Sequence, residues 1–265
     1  MSPADDRPQL SLVLACYDEA EHIERSVPQV LKVLDACPWA YEVIFVDDAS
    51  RDGTVALIEQ LIRRNAGRRL SLVVHERNMG RGGAVQDGFR AARGDIVGYM
   101  DIDLEVPPHY VLPCVLAVEA GADVCTARRI YRLHPGNLFR HALSRGYAFL
   151  ARRLLGWPYA DTESGFKFFR RQAALDLLPR AESQGWFWDT EIMFHAHRLG
   201  YKVVELPCLY LRRAEKTSTV KVIPDSLVYL RSLLRLAARA GTGSVIRAEA
   251  GPAENRAPDA HQQIQ

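Results

Sequence analysis

The chain has 265 residues, 48% of them hydrophobic and 25% charged, with a net charge of +2. That is enough apolar material for one well-packed domain, and too little net charge to argue for a nucleic-acid partner. Five scattered cysteines without a Cys-x-x-Cys pair exclude a disulfide framework and a cysteine zinc site, and no run of 18 apolar residues is present to cross a bilayer.

Residues 1–9 are polar, hold two prolines and read as a flexible N-terminus, not a signal peptide, which with the free cysteines points to the cytosol. Residues 10–15 read as a first buried strand, with Cys16-Tyr17-Asp18-Glu19 as the loop at its end. A helix is predicted over 21–35, with Ile23, Val27, Val30, Leu31 and Leu34 on one face. Residues 42–46 form a second strand. Its loop, Asp47-Asp48-Ala49-Ser50-Arg51-Asp52-Gly53-Thr54, leads into a helix that runs to Asn65 and that Asp52 can cap. A third strand covers 70–75, and the glycine-rich turn 78–83 opens a helix to Arg93. This turn follows the third strand, and Val85 stands where a dinucleotide fingerprint needs its last glycine, so NAD is not expected. Arg81 at that helix N-terminus adds a field that suits phosphate.

A fourth strand, 96–100, breaks into Asp101, Asp103 and Glu105. In an extended chain these alternate acids share one side. Hard oxygen ligands at this density suit Mg²⁺ or Mn²⁺, which complete their shell with substrate phosphates. Pro107 and Pro108 stop the strand and admit a helix. The strand–helix alternation predicts an α/β fold with a parallel sheet, whose polar loops converge at the carboxyl edge. There Asp48 is placed to accept from a nucleotide base or ribose.

Beyond Asp103 the pattern weakens. A strand over 123–127 ends at Arg128 and Arg129. An acid-free basic stretch then reaches Ala160, with Phe139, Leu143, Tyr147, Leu150 and Leu154 on one helical face. The loop 161–167 leads into a short strand, 166–169. A helix opens at Trp186-Phe187-Trp188 and runs to Leu199, with both tryptophans read as core and His195 and His197 as structural. A strand follows over 202–206. A last helix, from near Pro224 to Ala240, sets Leu227, Leu230, Leu234 and Ala237 on one face and Arg231, Arg235 and Arg239 in a cationic stripe. Two such basic segments suggest contact with an anionic membrane surface. Residues 241–265 are polar and small and read as disordered. The organisation expected is therefore a flexible start (1–9), one domain (10–221), a basic amphipathic helix (222–240) and a tail (241–265).

The ordered set Tyr17-Asp18-Glu19, Asp47-Asp48-x-Ser50-x-Asp52-Gly53-Thr54, Asn78-x-Gly80-Arg81-Gly82 and Asp101-x-Asp103 resembles family 2 glycosyltransferases of the GT-A fold. Ser164-Gly165-Phe166-Lys167 and Trp188-Asp189-Thr190-Glu191 look like the branch that makes polyprenyl- or dolichyl-phosphate sugars. The resemblance covers about 10–221. It implies a mostly parallel sheet flanked by helices and inverting transfer of a hexose, glucose or mannose, from a UDP- or GDP-sugar to a polyprenyl phosphate. Tyr17, Glu19, Asp48, Arg81 and Asp101 would bind the nucleotide sugar. Asp101, Asp103 and Glu105 would hold Mg²⁺ or Mn²⁺. Arg128, Ser164, Lys167, Arg213 and Ser218 would bind the acceptor phosphate. A lipid phosphate is already anionic and needs no strong base; a sugar hydroxyl would need one, from Asp161 or Glu191.

There are departures. The family's Pro-x-Tyr-Asn-Glu appears as Ala15-Cys16-Tyr17-Asp18-Glu19, and Lys216 and Thr219 alter the late Arg-x-x-Gly-x-Ser pattern. The Gln-x-x-Arg-Trp motif of processive synthases is absent. Many relatives append membrane helices, so a membrane-protein partner is a further expectation, with the chain peripheral on the inner face of the cell membrane. The alternatives are transfer to a sugar or other hydroxyl in cell-surface polysaccharide synthesis, and a nucleotide-sugar binding module without turnover.

Overall fold

A computed structural model describes residues 7–131, 138–211 and 228–239. The chain divides into two compact units, Met1–Lys221 and Val222–Gln265. The first opens with β1 (Leu10–Cys16), α1 (Ala20–Asp35), β2 (Tyr41–Asp47), α2 (Thr54–Arg64), β3 (Leu70–Val74), α3 (Arg81–Ala91) and β4 (Ile96–Met100). After a 3₁₀ turn come α4 (Val111–Glu119), β5 (Val124–Tyr131), α5 (Leu138–Leu155) and β6 (Phe166–Arg170). The unit ends with α6 (Arg171–Leu177), α7 (Trp188–Arg198) and β7 (Val203–Tyr210).

The seven strands form one sheet in the order β3-β2-β1-β4-β6-β5-β7. The first four run parallel; β6 is antiparallel to β4 and to β5. β1, β2 and β4 are buried almost throughout, as strands covered on both faces must be, which is why they read as unbroken apolar runs. On α1, Ile23, Val27, Val30, Leu31 and Leu34 are buried with Ser26, at the i, i+4, i+7, i+8 spacing that turns one stripe to the core. β1 sits between β2 and β4, so crossovers leave it in opposite directions and a crevice opens at the carboxyl ends of these strands.

Three features differ from the sequence reading. β4 ends at Met100, and the next residues turn instead of extending: Leu104 N–H donates to the Asp101 carbonyl at 3.2 Å, and Leu104 has φ +56°. Strand alternation therefore does not set the side of Asp101, Asp103 and Glu105. β5 and β7 run four residues past their expected ends, pairing Arg128–Tyr131 with Pro207–Tyr210 beyond the last β5–β6 pair, Thr126–Lys167. α6 is a short helix between two strands that no apolar periodicity announces.

On α5 the buried positions are Ala151 and Leu155, while Leu154 is exposed, so the packed face is turned from the one expected. The side chains of Phe139 and Leu143 lie outside the described residues. In the second unit a helix covers 228–239, where Leu233 and Leu236 are buried, Leu230 and Leu234 exposed, and Arg231, Arg235 and Arg239 exposed. Leu227, residues 1–6 and residues 240–265 are outside the described residues. Among the described residues no helix is long and apolar enough to cross a membrane.

Candidate active site

The loops after β1 and β2 are tied together by short polar side chains. Asp18 N–H donates to Ser50 Oγ at 2.9 Å, and Arg51 N–H to Asp18 Oδ1 at 2.7 Å. Glu19 N–H donates to Thr54 Oγ1 at 2.8 Å, while Asp52 accepts from Ala20 N–H at 3.1 Å and Thr54 N–H at 2.9 Å. Asp52 thus serves the first N–H groups of α1 and α2, where orphan donors need an acceptor. Glu19 itself lies 2.6 Å from His22 Nδ1.

Asp48 is buried and is taken up by the protein itself. It accepts from Met79 N–H at 2.7 Å and Gly80 N–H at 2.8 Å, and lies 2.8 Å from His75 Nδ1. This corrects the expectation that it reads a base: it orders the turn into α3, where Gly80 has φ +83° and its Cα approaches the Gln184 carbonyl too closely for a side chain. Its neighbour Asp47 is the acid with capacity left. Asp47 Oδ2 accepts from Ser50 N–H at 3.0 Å, and its buried Oδ1 has no hydrogen-bond partner. Asp47 lines a cavity of about 490 Å³ with Tyr17, Ser50, His75, Arg77 and Asn78. A larger hollow, about 630 Å³ between α1 and α2, is lined by none of the strand-end loops.

Arg81 leads from this cavity to β4. Its guanidinium is buried, donates to Asp101 Oδ1 from Nε at 2.9 Å, lies in ion-pair contact with the same oxygen through Nη2 at 2.8 Å, and pairs with Asp189 of α7. It also lies over two rings, Tyr99 at 5.3 Å and Trp186 at 5.0 Å. Asp189 accepts further bonds from Tyr99 Oη and from Lys167 Nζ, the latter at 2.8 Å. Burial alone would raise the Asp189 pKa, but Arg81 and Lys167 outweigh it and hold the carboxyl below the ordinary value. Burial lowers Lys167, whose ammonium also donates to the Ser164 carbonyl. Desolvation raises Asp101 against the pull of Arg81, with the Asp103 and Asp189 charges adding to the rise. Gly165 passes so close to Asp101 and Arg81 that any Cβ there would collide with both, and its carbonyl accepts from Asp101 N–H at 3.0 Å.

On the far side of that loop Arg129 of β5 forms a two-pronged pair with Asp161, Nε–Oδ2 2.7 Å and Nη2–Oδ1 2.8 Å, while Arg129 N–H donates to the same carboxylate at 2.9 Å. Burial would raise Asp161, yet Arg129 holds it below the ordinary value. The Arg129 guanidinium lies 5.6 Å from the ring centres of both Tyr131 and Tyr210. Arg128, the residue expected here, is exposed: alternation along β5 puts it on the opposite face.

Other expected residues are placed as follows. Tyr17 is exposed at the cavity. Asp103 is buried beside Asp101 in the turn and accepts from Glu105 N–H at 3.1 Å. Glu105 accepts from Tyr210 Oη of β7. Among the described residues no three His, Cys, Asp or Glu side chains gather as a metal set. Glu191 accepts from Ser183 N–H at 2.7 Å and so pins the loop before α7. Asp161 and Glu191, the two carboxylates named as candidate bases, are thus engaged by Arg129 and by Ser183 N–H. Ser164 is buried with its Oγ unpartnered, and Lys167 is enclosed with Asp189. Arg213 and Ser218 lie outside the described residues. The sequence reading gave no role to Asp189, Arg129 or Glu163, and its assignment of both tryptophans to the core holds for Trp188 but not for Trp186, which is exposed with Arg81 over its ring. Asp189 stood in a quoted motif, but nothing local tells that it meets Arg81, 108 positions earlier.

A mostly parallel sheet with polar loops at the switch point, a cavity there and a buried arginine beside two aspartates fit a GT-A architecture. The family model "Glycosyl transferase family 2" matches residues 11–178, and the chain belongs to that family. It is 34% identical over 204 residues to glycosyltransferase AglD of Haloferax volcanii, a match over 75% of this chain and 32% of AglD. It is 25% identical over 223 residues to the dolichyl-phosphate beta-glucosyltransferase of Dictyostelium discoideum, covering 76% of this chain and 66% of that one. The chain thus spans a third to two thirds of the length of these relatives. Among solved structures, glucosyl-3-phosphoglycerate synthase from Mycobacterium tuberculosis, in complex with Mn²⁺, UDP and glucosyl-3-phosphoglycerate, superposes with a TM-score of 0.66. That match has 21% identity and covers 87% of this chain and 80% of the synthase, which shows a shared fold.

Proposed function

We propose that this chain transfers a hexose from a nucleoside-diphosphate sugar to a polyprenyl phosphate, with inversion, at the inner face of a membrane. The observation that carries the reading is Arg81, clamped by Asp101 and Asp189 next to the Asp47 cavity, at the carboxyl ends of β1 to β4. The dolichyl-phosphate relative supports the acceptor class, and the synthase bound to UDP and Mn²⁺ supports the donor class.

The base would enter the cavity beside Tyr17, with Asp47 Oδ1 accepting its ring N–H. Arg81 would face the departing diphosphate; fixed by four partners, its charge needs no reorganisation as the leaving group gains charge. Asp101 and Asp103 fit a hard divalent ion: Asp101 keeps 42% of its side chain exposed, and phosphate oxygens would complete the shell. Such an ion, when bound, neutralises charge on the diphosphate. The acceptor oxygen forms its bond to the anomeric carbon as the bond to the diphosphate breaks. Because a phosphate nucleophile is already anionic, placement contributes most.

The test is a transfer assay with UDP-glucose and GDP-mannose, polyprenyl phosphate in vesicles and Mn²⁺. Lipid-linked sugar from one donor is the expected product. Transfer only to free sugars, or nucleotide binding without turnover, would replace this reading by one of its rivals.

A further inference from the structure

Beside the loop that carries Ser164 and Lys167, the carboxylates of Asp101, Asp161 and Asp189 are each bonded to a cation. Asp161 is saturated by Arg129, Asp189 by Arg81, Lys167 and Tyr99, and Asp101 by Arg81. Glu163 differs. It lies in the same loop, two residues before Gly165, which touches Asp101. Its carboxylate reaches Arg129 Nη2 only at 3.8 Å, has no hydrogen bond among the described residues, and keeps 27% of its side chain exposed. The charged and titratable groups around it are Arg129 and Tyr131 from β5, Tyr147 from α5, Asp161 in its own loop, Lys167 from β6 and Asp189 from α7.

The local balance of charge is unfavourable to an incoming dianion. Arg129 is already neutralised by Asp161, and Lys167 by Asp189, so an ionised Glu163 would add a repulsive charge beside the acceptor. A protonated Glu163 would remove that charge and supply an O–H donor. We propose that Glu163 is a specificity residue that takes up one proton as an acceptor phosphate binds, so that the site accepts a phosphate dianion only in its neutral-carboxyl form. The inference rests on the lipid-phosphate reading above. The proton comes from solvent onto Glu163. The dianionic acceptor then displaces the nucleoside diphosphate, and Glu163 returns its proton when the singly charged diester product leaves.

Burial, reinforced by Asp161 and Asp189, places the Glu163 carboxyl at about 7, so the uptake falls where it can be measured. The experiment uses the full chain with Mn²⁺, a nucleotide sugar and citronellyl phosphate. In wild type the acceptor KM should rise by up to about tenfold per pH unit above 7, the slope of a one-proton linkage. Calorimetry in two buffers of different ionisation enthalpy should show up to one proton taken up at pH 8. Glu163→Gln should flatten the pH slope, abolish the uptake and bind the acceptor more tightly than wild type at pH 8. Glu163→Ala should flatten the slope equally while losing the donor.

An unchanged slope in both variants overturns the proposal while leaving the lipid-phosphate reading intact. Loss of transfer at every pH in a folded Glu163→Gln protein overturns it in favour of Glu163 as a general base for a hydroxyl acceptor. If wild type uses no phosphate acceptor at any pH, both readings fall together.

Discussion

At the ends of β1, β2 and β3 the carboxylates bond mostly to backbone N–H groups; around β4, β5 and β6 they bond to cationic side chains. Asp18, Asp47, Asp48 and Asp52 fix the course of nearby loops. Asp101, Asp161 and Asp189 instead join elements far apart in the chain, through Arg81, Arg129 and Lys167. The first arrangement shapes a cavity; the second holds charges apart from water in fixed positions. Losing a loop carboxylate should therefore cost a charge-assisted hydrogen bond or two to neutral N–H groups, whereas losing one member of a buried pair strands a charge.

The largest effect expected is from Asp189→Ala, which leaves Lys167 and Arg81 without their shared partner. Unfolding in urea should show a loss of about 3–5 kcal/mol, and transfer should vanish. Next is Arg129→Ala, with about 2–4 kcal/mol lost by the same argument, against a change within about 0.5 kcal/mol for Arg128→Ala on the exposed face. If the two arginines behave alike, the inward and outward assignments on β5 are wrong. Asp48→Ala should cost about 1–3 kcal/mol and weaken nucleotide binding by loosening the turn before Arg81, as read by thermal shift with and without UDP.

The smallest effect is in the pH dependence, where the carboxyls carry opposite signs. Asp161 and Asp189 are held below the ordinary value, so their stabilisation is complete above about pH 4 and disappears as the pH falls through their folded values. Glu163 is raised from 4.5 to about 7, so its ionisation removes stability as the pH rises across that window. Glu163→Gln should accordingly be the more stable protein at pH 8, by about 1 kcal/mol or more, and show no such gain at pH 4.

The same contrast explains how much could be read from the chain. The runs 10–15 and 96–100 and the stripe on α1 are set by burial alone, and the structure follows them to within a residue. So are the polar loops at the carboxyl edge, because topology places them there whatever their side chains do. The extension of β5 escaped notice because Arg128 and Arg129 look like a terminus, while in the sheet they alternate between solvent and a buried pair. Arg81 and Asp101 were both singled out, and the fold brings them together. That Asp48 is saturated by the turn between β3 and α3 while Asp47 keeps a vacant oxygen depends on hydrogen-bond directions that spacing does not encode. The partnership of Arg81 with Asp189 depends on which helix packs over β4, and no local pattern carries it.

Asp18, Ala49 and Leu104 are the non-glycine residues with positive φ among those described, at 53°, 62° and 56°, and all three follow β1, β2 or β4 at the crevice rim. Each such conformation costs on the order of 1–3 kcal/mol. A designer seeking a hardier variant would be drawn to Ala49→Gly, which relieves that tension without removing a polar contact. The gain in melting temperature would come with a slacker rim, so the positions most open to thermal improvement are those where improvement is most liable to slow turnover.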